Sequence, residues 1–161
     1  MSVGRQVTNV VVAGLGGQGV IKAADILADV AFRAGLDVKK AEIHGMSQRG
    51  GSVTSDVRFG PEVLSPMVSR GEADFLLVLS PSELEVARPM LRPGGLLITP
   101  DAVDESRLTN KRTLNVALLG ALSVKLGIAS EHWLAALHAA LPERLHEVND
   151  RAFSLGRESA P

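Results

Sequence analysis

The chain has 161 residues, of which 45% are hydrophobic but only 3% aromatic, and 17 Lys and Arg stand against 18 Asp and Glu. This length predicts a single domain over residues 1–161 with one sizeable core, and a net charge of -1 offers no general basic field for nucleic acid. The sequence contains no cysteine, which excludes disulfides, a thiolate nucleophile and cysteine ligation of zinc or an iron–sulfur cluster by this chain.

Membrane association is not predicted either. The first residues lack the apolar core of a signal peptide, and no later run approaches the roughly 20 apolar residues of a membrane span. We therefore expect a cytoplasmic protein with neither a nucleic-acid nor a membrane partner.

Strands and helices alternate in the predicted first half of the chain. The β-branched run Val10–Ala13 predicts a buried central strand. The apolar spacing from Val20 to Ala31 predicts a helix that ends near Gly35. Further strands are predicted over residues 36–43, 52–59 and 73–79. Ser80, Pro81 and Glu83 then predict the start of a helix.

The second half is predicted to be mostly helical. Pro93–Gly95 predicts a turn before a short strand over residues 96–99, and the polar residues between Thr99 and Thr113 predict a surface loop or a weak strand. Helices are predicted from residue 113 to 126, from residue 130, and over residues 145–155, with a frayed tail over residues 156–161. The predicted fold class is α/β, with three layers: a mostly parallel, Rossmann-like sheet and helices on both faces. Ligands and partners are expected at the carboxyl ends of the strands.

A glycine-rich loop follows the first predicted strand. The sequence GLGGQG, residues 14–19, matches G-x-G-x-x-G between a strand and a helix, where free amide N–H groups at the helix N-terminus favour an anion. Glu42 follows at about the spacing at which an acid accepts a hydrogen bond from a ribose hydroxyl. Two hypotheses stay open: a dinucleotide site, or glycines that only pack the helix on the sheet while Gln18 points to a neighbouring chain.

A second polar segment, AEIHGMSQRGGSV, lies between the second and third predicted strands. Its glycines free the backbone to orient an imidazole, a hydroxyl, an amide and a guanidinium. Arg49 suits a carboxylate or a phosphate, because its planar guanidinium binds two oxygens at once. His44 on its own is more often a structural histidine than a catalyst.

Six segments carry a resemblance to a known family along nearly the whole chain. They are VVVAGLGGQGV, EIHGMSQRGGSV, VRFG, SPMVSRGEADFLLVLSP, LRPGG, and the closing pattern from NVALLGAL to LPERLHEVNDRAF. With them the chain resembles the gamma subunit or domain of the 2-oxoacid:ferredoxin oxidoreductases, in particular the small subunit of the indolepyruvate:ferredoxin oxidoreductases. The first segment is common to the wider superfamily, whereas IHGMSQRGGSV is more specific to the indolepyruvate branch.

The resemblance implies a role inside a larger enzyme. Such enzymes decarboxylate a 2-oxoacid on thiamine diphosphate, pass electrons through iron–sulfur clusters to ferredoxin, and transfer the acyl group to coenzyme A. This chain then binds no cofactor alone, and thiamine diphosphate, magnesium, the clusters and coenzyme A are expected on or with a large partner subunit. The residues agree, since the chain has no cysteine and no GDG segment of the kind that holds magnesium and the diphosphate.

The resemblance assigns the candidate site residues to loops that face the partner subunit or approach a phosphate-bearing cofactor. No residue is assigned as a proton donor, a nucleophile or a metal ligand. The candidates are Gly14, Gly16, Gly17, Gln18 and Gly19 in the first loop, His44, Ser47, Gln48, Arg49, Gly50 and Gly51 in the second, and Asn115 at a further predicted strand end.

Two alternatives remain at this point. The first is a free-standing NAD-binding oxidoreductase that uses the first loop and Glu42, although no later segment reads as a separate substrate domain. The second is a regulatory nucleotide-binding module.

Overall fold

The sheet is built around β1, whose β-branched residues are inaccessible to solvent on both sides. The computed structural model of the chain describes residues 6–44 and 51–160. Val10, Val11 and Val12 of β1 are completely buried, as the uninterrupted apolar run predicts. The strands are β1 (Thr8–Leu15), β2 (Asp37–His44), β3 (Ser52–Gly60), β4 (Ala73–Val78) and β5 (Leu91–Ile98), in the order β2-β3-β1-β4-β5.

The sheet is mixed, because β3 runs against its neighbours. β1 is parallel to β4 and β4 to β5, whereas β3 is antiparallel to both β1 and β2. Residues 45–51 alone join β2 to β3, and parallel neighbours would need a crossover of about a dozen residues or more. The α/β prediction is confirmed, and its parallel part consists of β1, β4 and β5.

One face of the sheet is covered by the four long helices. The helices are α1 (Val20–Arg33), α2 (Leu84–Ala87), α3 (Leu114–Leu126), α4 (Ser130–Ala140) and α5 (His146–Glu158). Residues of α1, α3, α4 and α5 form the main core with the inner side chains of the strands. Helix α3 lies at the centre of this layer, with residues 115–123 all buried. None of the helices in the described residues is both long and apolar enough to cross a bilayer.

The opposite face has a much thinner cover. A smaller core joins Val11, Leu76 and Val78 of the sheet to Val68 and to Ala87 of α2. The three-layer arrangement is therefore confirmed with unequal layers: the helix predicted after Ser80 is a single α-helical turn between two short 3-10 segments.

Two details of the prediction are wrong, and a third is decided between its two alternatives. Pro93–Gly95 is part of β5, where the left-handed Gly94 (φ 79°) accompanies a shift in the register with β4. The segment between residues 99 and 113, predicted as a surface loop or a weak strand, is a loop with three 3-10 turns. Helix α5 continues to Glu158 instead of fraying at residue 156, because Gly156 is buried against α3.

Helices α3 and α5 touch through their backbones. A Cβ atom added to Gly156 would overlap the carbonyl oxygen of Ala117, and one added to Gly120 would overlap that of Phe153. Next to this contact, a guanidinium nitrogen of Arg157 donates to the hydroxyl oxygen of Ser123 over 2.8 Å. The two glycines therefore set the distance between the two helices.

We expect Gly156→Ala to lower the free energy of unfolding by about 3 kcal/mol, because the added methyl group must push two helical backbones apart. Chemical denaturation followed by circular dichroism measures the loss. Ser154→Ala, at an exposed position of the same helix, is the control and should change stability by less than about 0.5 kcal/mol. Equal stability of both variants would contradict the backbone contact.

A buried carboxyl group lies on the thinly covered face. Asp56 of β3 pairs with Val11 of β1 and is 1% exposed, and its Oδ2 accepts a hydrogen bond of 2.9 Å from the amide N–H of Val68. Among the described residues, no donor reaches its Oδ1. Burial raises the pKa of the Asp56 carboxyl above its usual value of 3.8, against the opposing effects of the Val68 hydrogen bond and the Arg58 charge.

The raised pKa of Asp56 predicts a pH dependence of stability. The folded chain holds this proton more tightly than the unfolded chain, so the contribution is fully present below the unfolded-state pKa and is lost as pH rises through the folded-state pKa. Asp56→Asn keeps an acceptor for the Val68 amide but cannot titrate. The free energy of unfolding of this variant should therefore fall less steeply as pH rises. Urea denaturation of both proteins from about pH 4 to about pH 7 gives the free energy of unfolding at each pH. If this free energy changes with pH equally in both proteins, Asp56 titrates normally.

Candidate functional site

The two glycine-rich segments meet at one rim of the sheet. The loop after β1 lies beside the start of β3, where the amide N–H of Gly16 donates to the carbonyl oxygen of Gly51 over 3.0 Å. His44, the last residue of β2, is exposed at the same rim and pairs in register with Val53. The candidates Ser47, Gln48, Arg49 and Gly50 lie outside the described residues.

Hydrogen bonds within the chain hold the first loop in shape. Gly17 and Gly19 have left-handed backbones, with φ of 88° and 82°, which residues with a side chain rarely adopt. The side-chain oxygen of Gln18 accepts a hydrogen bond of 2.7 Å from the amide N–H of Leu15. This hydrogen bond closes the loop, and the hypothesis that the exposed Gln18 points to a neighbouring chain stays a prediction.

The glycines of the loop have different structural roles. Gly14 is buried within β1, and a Cβ atom there would come within 2.8 Å of Val20 and 2.9 Å of the Gln18 oxygen. Gly14 is thus a packing residue between the strand and α1. Gly16, Gly17 and Gln18 are exposed at the rim.

Asn115 links the loop to α3. It lies in the first turn of that helix and not at a strand end, so this detail of its assignment is corrected. Its side-chain nitrogen donates to the carbonyl oxygen of Gly19 over 3.2 Å, and its oxygen accepts from the amide N–H of Val116. Asn115 therefore lies next to the glycine loop with which it was grouped, and its side chain supports that loop.

A cleft of about 720 Å³ opens beside this loop and the N-terminus of α1. Four basic residues line it, from three separate segments, whereas none of its described lining residues is Asp or Glu. No side chain of the described chain caps the N-terminus of α1, so its first amide N–H groups add positive potential. The basic residues are Lys22, Lys111, Arg112 and Arg144.

The cleft is suited to bind an anion with several negative groups. Its volume is within the range of small-molecule sites. The four basic side chains are concentrated there although the net charge of the chain is -1. Sequence reasoning missed these residues as a site, because they are far apart in sequence and only the fold collects them. Within the described residues, no group of three or more histidine or acidic side chains could hold a metal ion.

The strand order argues against a dinucleotide site. In that kind of site the acid at the end of the second strand lies next to the glycine loop, but here β3 separates β2 from β1 by two strand spacings, roughly 10 Å. Glu42 also pairs with Lys40 over 2.9 Å, and Lys40 pairs with Asp25 over 2.8 Å. The free-standing NAD-binding oxidoreductase is therefore not favoured.

Several known proteins are similar to this chain in sequence and in fold. The sequence profile of the family "Pyruvate ferredoxin/flavodoxin oxidoreductase" matches residues 9–159. The chain is 32% identical to the indolepyruvate oxidoreductase subunit IorB of Pyrococcus horikoshii, an alignment that covers 94% of this chain and 95% of that protein.

Two solved structures have the same fold. The keto/oxoacid ferredoxin oxidoreductase gamma subunit from Geobacter sulfurreducens superposes with a TM-score of 0.79 and 22% identity, over 95% of each chain. The 2-oxoglutarate:ferredoxin oxidoreductase from Magnetococcus marinus, solved with 2-oxoglutarate, coenzyme A and succinyl-CoA bound, gives a TM-score of 0.84 and 21% identity. That match covers 97% of this chain and 31% of the larger one.

These matches confirm the resemblance that the sequence motifs indicate. They extend over nearly the whole chain, from β1 to the end of α5. The chain belongs to the pyruvate ferredoxin/flavodoxin oxidoreductase family.

Proposed function

We propose that this chain is the small subunit of a 2-oxoacid oxidoreductase that acts on indolepyruvate or a related arylpyruvate. The observation that carries the proposal is the match to an indolepyruvate oxidoreductase subunit over nearly the full length of both proteins. The complete enzyme converts the 2-oxoacid and coenzyme A to an acyl-CoA and carbon dioxide, and passes the two electrons to ferredoxin. We place the assembly in the cytoplasm.

The chemistry belongs to the complete assembly. Thiamine diphosphate, magnesium and the iron–sulfur clusters are assigned to a large partner subunit, since this chain has no cysteine to ligate a cluster. Within the assembly, the rim of the sheet faces that partner. The segment with Ser47, Gln48, Arg49 and Gly50 is proposed to be part of the same contact.

The basic cleft is proposed to hold the phosphate groups of coenzyme A at this interface. Coenzyme A is bound in the solved enzyme from Magnetococcus marinus, and its phosphates match a cleft lined by Lys22, Lys111, Arg112 and Arg144 without an acidic residue. When bound, it supplies the thiol that accepts the acyl group. The residues of this chain bind and orient the phosphate end, and the Asn115 contact with Gly19 keeps the loop in place.

Copurification tests the assignment to a larger enzyme. We expect a tagged chain, recovered from its own cells, to bring down a much larger, brown polypeptide that oxidises arylpyruvates with ferredoxin. Recovery of the chain alone would contradict the proposal. So would micromolar binding of NAD to the isolated chain in a calorimetric titration, which the separation of β2 from β1 leads us not to expect.

The double variant Lys111→Ala, Arg112→Ala tests the cleft. In the reconstituted enzyme we expect the KM for coenzyme A to rise about tenfold or more, because contacts to charged groups contribute about 1.5–3 kcal/mol each. The KM for the 2-oxoacid should stay within about twofold of wild type. Steady-state kinetics at varied coenzyme A measures both.

Lys125→Ala is the matched control, because it removes an exposed lysine at the other end of α3. It should leave both KM values unchanged. An unchanged KM for coenzyme A in the double variant would remove the cleft from the proposed site.

A further inference from the structure

The thinly covered face of the sheet carries a groove that the proposed function does not use. We propose that this groove binds a polypeptide segment of a partner protein in which a Lys or Arg is flanked by apolar side chains. The inference does not require that the partner be an oxidoreductase subunit.

The groove lies over β3 and β1, between α2 and the segment that precedes β4. It has a volume of about 300 Å³, which is enough for one or two side chains. Most of its described lining is apolar. The apolar residues are Ala13, Ile43, Val53, Met67, Val68, Val86, Ala87 and Met90.

The apolar residues at the mouth of the groove are open to solvent. Ile43 is 45% exposed, Met67 55% and Val86 72%. They come from β2, from the segment before β4 and from α2, so three separate parts of the chain contribute to one apolar surface. Clustered exposed apolar residues around a concave site are typical of a contact with another protein.

Two buried carboxyl groups lie within this apolar lining. Asp56 is 1% exposed, and its Oδ1 has no hydrogen-bond donor among the described residues. Glu83 is 7% exposed, and its Oε1 accepts a hydrogen bond of 2.5 Å from the hydroxyl of Ser52. No Lys, Arg or His is among the described residues that line the groove.

This charge pattern selects the occupant. The described lining residues supply neither a donor for the Asp56 Oδ1 nor a cation for the two carboxyl groups, so this side of the groove favours a donor or a cation from outside. A cationic side chain flanked by apolar residues would place its charge near the Asp56 and Glu83 carboxyl groups and cover Ile43, Met67 and Val86 in one contact. A second copy of this chain fits less well, because a two-fold contact would place the same two acidic groups against each other.

The sign of a charge introduced at the mouth of the groove tests the proposal. Val86→Glu and Val86→Lys remove the same apolar contact from an exposed position, so both variants should fold, which circular dichroism checks. Because the proposed occupant is cationic, we expect Val86→Lys to weaken binding at least about tenfold more than Val86→Glu. The measurement is the affinity of each variant for the polypeptide that copurifies with the wild-type chain, at low and at physiological salt.

Phe32→Lys and Phe32→Glu are the control pair, because Phe32 is 70% exposed on α1, in the opposite layer. The two Phe32 variants should bind the copurifying polypeptide with equal affinity. Equal losses for the two Val86 variants, or a greater loss for Val86→Glu, would overturn the proposal, as would copurification of no polypeptide.

A photoreactive amino acid at position 86 identifies the occupant directly. The expected crosslink joins the groove to a partner peptide with a basic residue between apolar ones. A crosslink to a second copy of this chain, to another part of the same chain, or to a peptide without a basic residue would overturn the inference. A partner with the expected peptide but without oxidoreductase activity would support the inference and contradict the proposed function.

Discussion

The short connection between β2 and β3 is the constraint on which the rest of the site depends. Residues 45–51 can join only antiparallel neighbours, and β3 also pairs with β1, so it lies between β2 and β1. This insertion moves the end of β2 away from the glycine loop and brings Gly51 against Gly16 instead. A sequence that matches a dinucleotide fingerprint thus forms a rim with a basic cleft on one side.

The two faces of the sheet differ in their helix cover and in the sites that they carry. Four helices cover one face and supply most of the core, and the basic cleft opens at the end of this layer. The other face has a small core and leaves apolar side chains exposed around a buried carboxyl group. The first arrangement suits an anionic ligand and the second a protein partner, so the chain can contact both without one surface serving two purposes.

Sequence reasoning predicted the parts of the fold that local pattern controls. The β-branched run of β1, the alternation in β3 and the helical spacing of α1 gave those elements within a few residues. The place of β3 between β2 and β1 follows from its pairing with β1, which is distant in sequence, and was not predicted. The glycine loop was predicted, whereas the cleft was not, because Lys22 and Arg144 are 122 residues apart and only the packing of α4 against α1 brings them together.

The backbone contact between α3 and α5 has a consequence for how the cleft adapts to its ligand. α5 forms one wall of the cleft and α3 begins at another, and at Gly120 and Gly156 the two helices have no intervening side chains that could rearrange. These two walls therefore have little room to shift relative to each other. A ligand of the proposed site would thus meet two walls whose spacing is set by the contact between helix backbones.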